Sequence, residues 1–265
     1  MEYYNYDKIN LNDGFLDKSC SCTYIINFNN NNNIIISKLE KYQPTKIAYI
    51  VSKKYNKNEN LSNMYIDIFL HAQKNNYNNI LILEDEFIFS KRILNNNITN
   101  EINKFIINRE GEEYVYLLGC LPFMKFHYKN NTDIVILSMV NHYASIYSKA
   151  MQERIIAYSK EIYDWNLYIN FNFRLYMYNE PLCYQLYQES ENYKILNIYG
   201  ISYIIKKINS LLDLDNNVEP GYSYYYTFSK LSGYLLIIFI LSVLMVLYFG
   251  PRESYQYINN IFRNL

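Results

Sequence analysis

Glu84, Asp85 and Glu86 follow one another at the end of an apolar run, NNILILEDEFIFS (78–90), where their mutual repulsion helps no fold. Clustered carboxylates tolerate each other best with a divalent cation among them. Hard oxygen ligands suit Mg²⁺ or Mn²⁺, and such an ion, held through one or two carboxylates, completes its shell with substrate phosphates. The alternative for an acidic triplet is a solvated loop after a strand, or a helix N-terminus where negative charge is favoured. On an extended backbone Glu84 and Glu86 project to one side and Asp85 to the other; a turn beginning here would bring all three to one cavity.

The elements that must aim these acids are legible around them. ILIL (80–83) is a continuous apolar run between Asn-Asn and the acids, as in a strand buried on both faces. TYIINF (23–28) and KIAYIVS (46–52) have strand length and β-branched content, with IIISKLEKYQ between them extending as a helix up to Pro44. Over 61–74 the sequence places Met64, Ile68 and Ala72 on one helical face, with Leu61 and Tyr65 beside them and Ser62 or Asn60 as cap. Further on, 114–120, 133–139 and 142–148 read as strands and 149–162 as a helix. Strand, helix, strand, helix, strand predicts an α/β domain with a largely parallel sheet and right-handed crossovers. In such a sheet ligands bind outside the carboxyl ends of the strands, which is where the triplet falls.

With 265 residues and 50% hydrophobic content the chain can build one sizeable core plus an appendage. Its 25 basic and 25 acidic residues cancel, so no broad positive surface is available and nucleic acid is not an expected partner. The 32 tyrosines, the Asn tracts and the scarcity of Gly and Pro read as codon pressure from an AT-rich genome. Cys20, Cys22, Cys120 and Cys183 have neither disulfide-scaffold nor Cys-x-x-Cys spacing and read as reduced structural thiols. The start, MEYYNYDKIN, lacks the basic and apolar regions of a secretory signal. From Leu231 to Phe249 the chain runs without a charge between Lys230 and Arg252, apolar on every face and long enough to span a bilayer. With only a short tail after it, insertion is expected after synthesis, leaving the N-terminal body in the cytosol. The flanking charges do not fix the orientation.

At this point the residues carry a family resemblance. ILILEDEFIF, preceded by the helix with Leu70-His71-Ala72, resembles the acidic motif region of glycosyltransferase family 25, the family of lipopolysaccharide and collagen galactosyltransferases. HYASIYSKAMQERI (142–155), with Ser148-Lys149-Ala150, DWNLYINF (164–171) and EPLCYQLYQES (180–190) are similar to later segments of that family, in the same order. The resemblance covers residues 23–196 and extends to proteins encoded by giant DNA viruses. It implies a GT-A-like (Rossmann-like) fold and a metal (Mn²⁺ or Mg²⁺) held by Glu84, Asp85 and Glu86 against the diphosphate of a nucleotide sugar; Glu86 stands where the family usually has Asp. Asp164 becomes the candidate base for the acceptor hydroxyl, its alternative being the N-cap of the helix that follows. Trp165 could stack on a sugar face or belong to the core. His142 could contact metal or phosphate, while His71 and His127 have less context. Gln185 and Ser190 could reach donor or acceptor hydroxyls, or serve as a turn and a cap.

No Gly-x-x-x-x-Gly-Lys loop, His-Glu-x-x-His or Gly-x-Ser-x-Gly is present. A nucleotidyltransferase or phosphohydrolase would want a second acidic cluster, and Asp213 with Asp215 lies in the helical stretch 203–215 that leads to the membrane. The expected organisation is an extension (1–22), a glycosyltransferase domain (23–200), a connector (201–230), a membrane helix (231–249) and a polar tail (250–265). The expected function is hexose transfer from a nucleotide-sugar donor to a glycan or protein acceptor; the alternative is a catalytically silent, membrane-anchored binding or assembly protein of the same fold.

Overall fold

The computed structural model describes residues 4–28, 32–53, 61–159, 162, 164–185, 207, 210–213 and 217–249, with backbone alone at 139–141 and 249. The elements run β1 (Tyr4–Asn10), β2 (Cys22–Ile26), α1 (Asn32–Tyr42), β3 (Ile47–Lys53), α2 (Leu61–Lys74), β4 (Ile80–Glu84), β5 (Ile88–Phe89), a 3-10 turn (Lys91–Leu94), α3 (Asn96–Ile107), β6 (Tyr114–Lys129), β7 (Thr132–Tyr147), α4 (Lys149–Ala157), α5 (Trp165–Asn172), β8 (Arg174–Tyr178), β9 (Cys183–Tyr184) and α6 (Gly221–Phe249). Seven strands form one sheet in the order β1-β3-β2-β4-β7-β6-β8, and β5 pairs with β9 beside it.

The parallel part is the expected one. β2 lies between β3 and β4, parallel to both, with Ile26 opposite Glu84. The chain leaves β2 through α1 to β3 on one side, then crosses back through α2 to β4 on the other. Right-handed crossovers in opposite directions put α1 and α2 on opposite faces. Ile35 and Leu39 are the buried residues of α1; Met64, Tyr65, Ile68, Phe69 and Ala72 form the buried stripe of α2. All five residues of β4 are buried, as the unbroken apolar run required.

The sheet as a whole is mixed rather than largely parallel. Residues 4–10, set apart in sequence as an extension, form an edge strand antiparallel to β3. The two short strands expected at 133–139 and 142–148 are one strand, β7, antiparallel to both β4 and β6. Asn130 and Asn131 join β6 to β7 with positive φ at both residues. That is the requirement of a two-residue type I′ hairpin, whose twist enforces antiparallel pairing. The helix expected over 149–162 ends at Ala157, and most of the helical stretch expected at 203–215 lies outside the described residues.

β7 carries a bulge. Between the ladder pairs Gly119–Ala144 and Leu121–Val140 only Cys120 lies on β6, whereas Asn141, His142 and Tyr143 lie on β7. Such bulges re-aim side chains. Gly119 belongs to this corner, because a Cβ there would overlap the Tyr143 ring and approach the Cys183 carbonyl to 2.8 Å. Gly119→Ala is expected to destabilise the fold by about 1–3 kcal/mol, the usual cost of overpacking, visible as a lower thermal unfolding midpoint.

α6 is the expected apolar helix extended at its start. Gly221–Tyr248 is long and apolar enough to cross a membrane, with mean hydropathy 2.5 over its most apolar window and 6% of that window buried. Its first turns are not bare: Tyr222, Tyr225, Tyr226 and Ser229 are buried. The Tyr226 hydroxyl donates to the Cys120 carbonyl (3.2 Å), and the Ser232 hydroxyl donates to the Phe123 carbonyl (3.0 Å). The ring of Tyr226 lies 4.7 Å from Lys125 Nζ, which also donates to the Asn179 carbonyl (2.7 Å) and sits 2.9 Å from Asp133 Oδ2. This buried ion pair joins β6, β7 and α6 and is costly to break from either side. The four cysteines are buried and free of disulfides, and burial pushes the thiols of Cys20, Cys120 and Cys183 up to about 12.

Candidate active site

β2 turns left to β3 and the chain returns right to β4, so the gap between the carboxyl ends of β2 and β4 is the topological switch point of the sheet. Crevices there are where open α/β sheets take ligands. The strand ends supply Asn27 and Phe28 from one side and Glu84 and Asp85 from the other. The three acids do not continue as a strand. The Phe87 amide donates to the Glu84 carbonyl (3.0 Å), closing a turn through Asp85 and Glu86. Buried Phe87 and Phe89 then hold the returning chain down, with Ile88 and Phe89 paired to Tyr184 and Cys183. The apolar run Phe87-Ile88-Phe89 after the triplet thus folds it over the strand end instead of letting it run into solvent.

Each acid has a different setting. Asp85 Oδ2 accepts from the Phe28 amide at 3.0 Å, bridging the two strand ends. Lys38 of α1 donates to the Asp85 carbonyl (3.1 Å) with its ammonium 4.8 Å from the centre of the Phe87 ring. Glu84 is buried at 6% exposure, and its Oε2 accepts from Gln185 Nε2 at 3.4 Å. Gln185 is held in turn by Tyr222 of α6, whose hydroxyl donates to the Gln185 carbonyl at 2.7 Å. Glu86 is only half buried.

Burial raises the Glu84 carboxyl to about 7; the Gln185 hydrogen bond opposes the rise, and the charges of Asp85 and Glu86 add to it. Burial pulls Lys38 below the usual lysine range, opposed by the fields of Cys183, Asp85 and Glu86. His142 emerges from the β7 bulge just beyond Ala144, the partner of Leu83 in the β4 ladder. It is buried, both ring nitrogens lack a hydrogen-bond partner, and desolvation alone lowers it to about 4. Asn27 Oδ1 is likewise buried without a partner, while its Nδ2 donates to Asn32 Oδ1 at 2.6 Å. Orphaned polar atoms of this kind cost stability and gather at functional sites.

Among the described residues no group of three His, Cys, Asp or Glu side chains is placed to hold a metal ion. The residues present fit a divalent ion carried by one or two carboxylates with substrate oxygens completing the shell; they do not form a protein-only cage. Asp164 is the N-cap of α5, its Oδ1 accepting from the Leu167 amide at 2.8 Å. Trp165, expected either on a sugar or in the core, is in the core: its ring stacks on Tyr65 at 4.2 Å and 18°, and it is 3% exposed. A large ring beside a cap finds more apolar area under the helix than in a cleft. Ser190 lies outside the described residues. His71 stacks on Tyr6 at 4.0 Å and bonds the Tyr24 hydroxyl, and His127 is exposed beside Asp133. The structure therefore joins Glu84, Asp85 and Gln185 at one edge, with His142 at the same end of the sheet. It adds Lys38, Asn27 and Tyr222, which sequence reasoning missed. Of these only Asn27 carried a signal, as the polar residue within the apolar run TYIINF.

No family model matches the chain, and no curated protein matches it. Among solved structures it is similar to the crystal structure of a glycosyltransferase involved in the glycosylation of the major capsid of PBCV-1. The identity is 9% and the TM-score 0.39, over 67% of this chain and 98% of that one. A likeness of that size assigns neither fold nor activity.

Proposed function

We propose that this chain is a membrane-anchored glycosyltransferase of GT-A-like fold that moves a hexose from a nucleotide-sugar donor to a glycan or protein acceptor. The observation that carries the reading is a turn of three carboxylates at the topological switch point of the sheet, with Asp85 bridging the ends of β2 and β4. Asp85 and Glu86, with Glu84 behind them, would hold Mn²⁺ or Mg²⁺, which neutralises the charge of a departing diphosphate when bound. Lys38 adds an amine donor on the α1 side of the same turn. Gln185 holds Glu84 in place and is itself held by α6, so the anchor helix supports the site. His142, neutral at physiological pH, offers a donor and an acceptor for donor or acceptor hydroxyls. Asp164 is the base in this reading: the cap engages Oδ1, and a carboxylate has further lone pairs for an acceptor hydroxyl. In this reading α6 is the membrane anchor and the body faces the cytosol, in the host cell if the protein is viral.

One observation favours the second reading, a catalytically silent binding or assembly protein of the same fold. The carboxylates of Glu84 and Asp85 are engaged by protein donors, and no third ligand joins them among the described residues. The two readings separate on the full chain in detergent or nanodiscs, measured for nucleotide-sugar binding and hydrolysis with Mn²⁺ and with chelator. The transferase reading expects binding that chelator weakens and turnover that it lowers by at least about 10²-fold, the usual cost of losing one charge-stabilising contact. Binding indifferent to chelator without turnover leaves the silent relative.

A further inference from the structure

We infer that the outer face of α5 and the β6–β7 hairpin forms a bilayer-contacting surface, so that the body lies against the membrane instead of hanging from a tether. The inference rests on the anchoring part of the proposed function. α6 is fixed to β6 up to the point where its apolar stretch begins. Gly233 packs so closely that a Cβ would meet the Lys125 carbonyl at 2.9 Å, and Tyr234 meets Phe126 edge to face at 6.3 Å. From Leu235 onward the large apolar residues of the helix are exposed.

The neighbouring surface is apolar in the same place. Phe123, whose carbonyl takes the Ser232 bond, is 42% exposed, and Ile136 on β7 is 49% exposed. The next element outward is α5, tied to β7 by Asn170, whose Oδ1 accepts from the Ser138 amide at 2.8 Å. Its Leu167 and Phe171, one turn apart on one face, are 51% and 75% exposed. Exposed apolar side chains on β6, β7 and α5, elements joined by the hairpin and the Asn170 bond, accompany the segment that enters lipid. Rings and aliphatic side chains beside a spanning helix favour the membrane interface. The occupant is therefore the lipid surface, not a second protein. Ten residues of α6 separate Tyr222, at the Gln185 site, from Ser232, which sets the site about 15 Å from the point of entry.

The test uses the full chain, whose native cysteines are all buried and leave engineered surface cysteines free for selective labelling. Phe171→Cys, Ile136→Cys, Met245→Cys and, on α1, Ile34→Cys are labelled with an environment-sensitive fluorophore and reconstituted in phosphatidylcholine vesicles with and without brominated lipid. The expected result is quenching at positions 171 and 136 at least half as strong as at 245, and none at 34. Quenching at 245 alone overturns the contact surface and leaves the anchor standing. No quenching at 245 removes the anchor and the inference together. Lipid-independent self-quenching between copies at 171 overturns the inference in favour of a protein interface.

Discussion

Asp85→Asn is expected to lower sugar transfer by about 10²–10³-fold, the usual cost of removing one charge aimed at a developing anion, while changing the unfolding midpoint little. The asparagine oxygen can still accept from the Phe28 amide that Asp85 holds at 3.0 Å, so the bridge between β2 and β4 survives and only the charge is lost. Steady-state kcat/KM and Mn²⁺-dependent stabilisation are the two readouts. A metal that binds the folded chain raises its apparent stability, and Asp85→Asn should abolish that rise. Asp164→Asn is the internal comparison. Asparagine caps a helix about as well as aspartate, so a purely structural Asp164 loses neither rate nor stability, whereas a base loses rate alone. A wild-type rate in Asp85→Asn would remove the acidic turn from the chemistry.

How far the site could be read in advance follows from which interactions are local. ILIL announced a strand buried on both faces, and the stripe of Met64, Ile68 and Ala72 announced α2, because both depend on residues within one element. The turn after Glu84 was one of two local alternatives; the ring contact between Phe87 and Phe89 (5.2 Å) and the pairing with β9, nearly a hundred residues on, decide it. Lys38 reaches Asp85 only because α1 leaves the neighbouring strand end, a relation that sequence spacing does not display. β1 and α3 went unrecognised for a different reason. In a chain saturated with Asn and Tyr, the half-exposed edge strand YNYDKIN shows weak polarity contrast, and the helix NNITNEINKFII, although amphipathic, opens on an Asn-rich stretch like the tracts read as codon pressure. The buried positions of α3 include Asn103, whose side chain bonds the Ser19 hydroxyl and the Phe15 carbonyl. A polar residue satisfied in this way is core by geometry and surface by composition. The antiparallel half of the sheet was hidden because 133–139 and 142–148 are divided at Val140-Asn141, where the bulge begins inside one strand.

The second large effect is on stability against pH, and it comes from two groups of opposite sign. Glu84 rises from 4.5 to about 7 on folding, so the folded chain holds a proton that the unfolded chain has released. Its contribution is fully present below about pH 4.5 and is lost as pH rises through 7. His142 falls from 6.5 to about 4, so its contribution is present above about pH 6.5 and is lost as pH falls toward 4. Each is worth at most about 3 kcal/mol across its window. Between about pH 4.5 and 6.5 the two slopes oppose each other, and wild-type stability should vary little there. Single substitutions expose them separately. Glu84→Gln keeps the shape and the Gln185 neighbour without a charge to bury, and should gain stability over wild type above pH 7 while matching it near pH 4. His142→Leu removes two unpartnered nitrogens and the acid-side loss, so it should gain stability at every pH and most near pH 4. Thermal or denaturant unfolding followed by the fluorescence of Trp165, which stacks on Tyr65 in the core, reads both. Mn²⁺ supplies the link to function: an ion that favours ionised Glu84 should offset the alkaline loss in the wild type and leave Glu84→Gln unchanged. A wild-type curve that His142→Leu merely parallels from pH 4 to 7 would show that the bulge leaves this ring in contact with water.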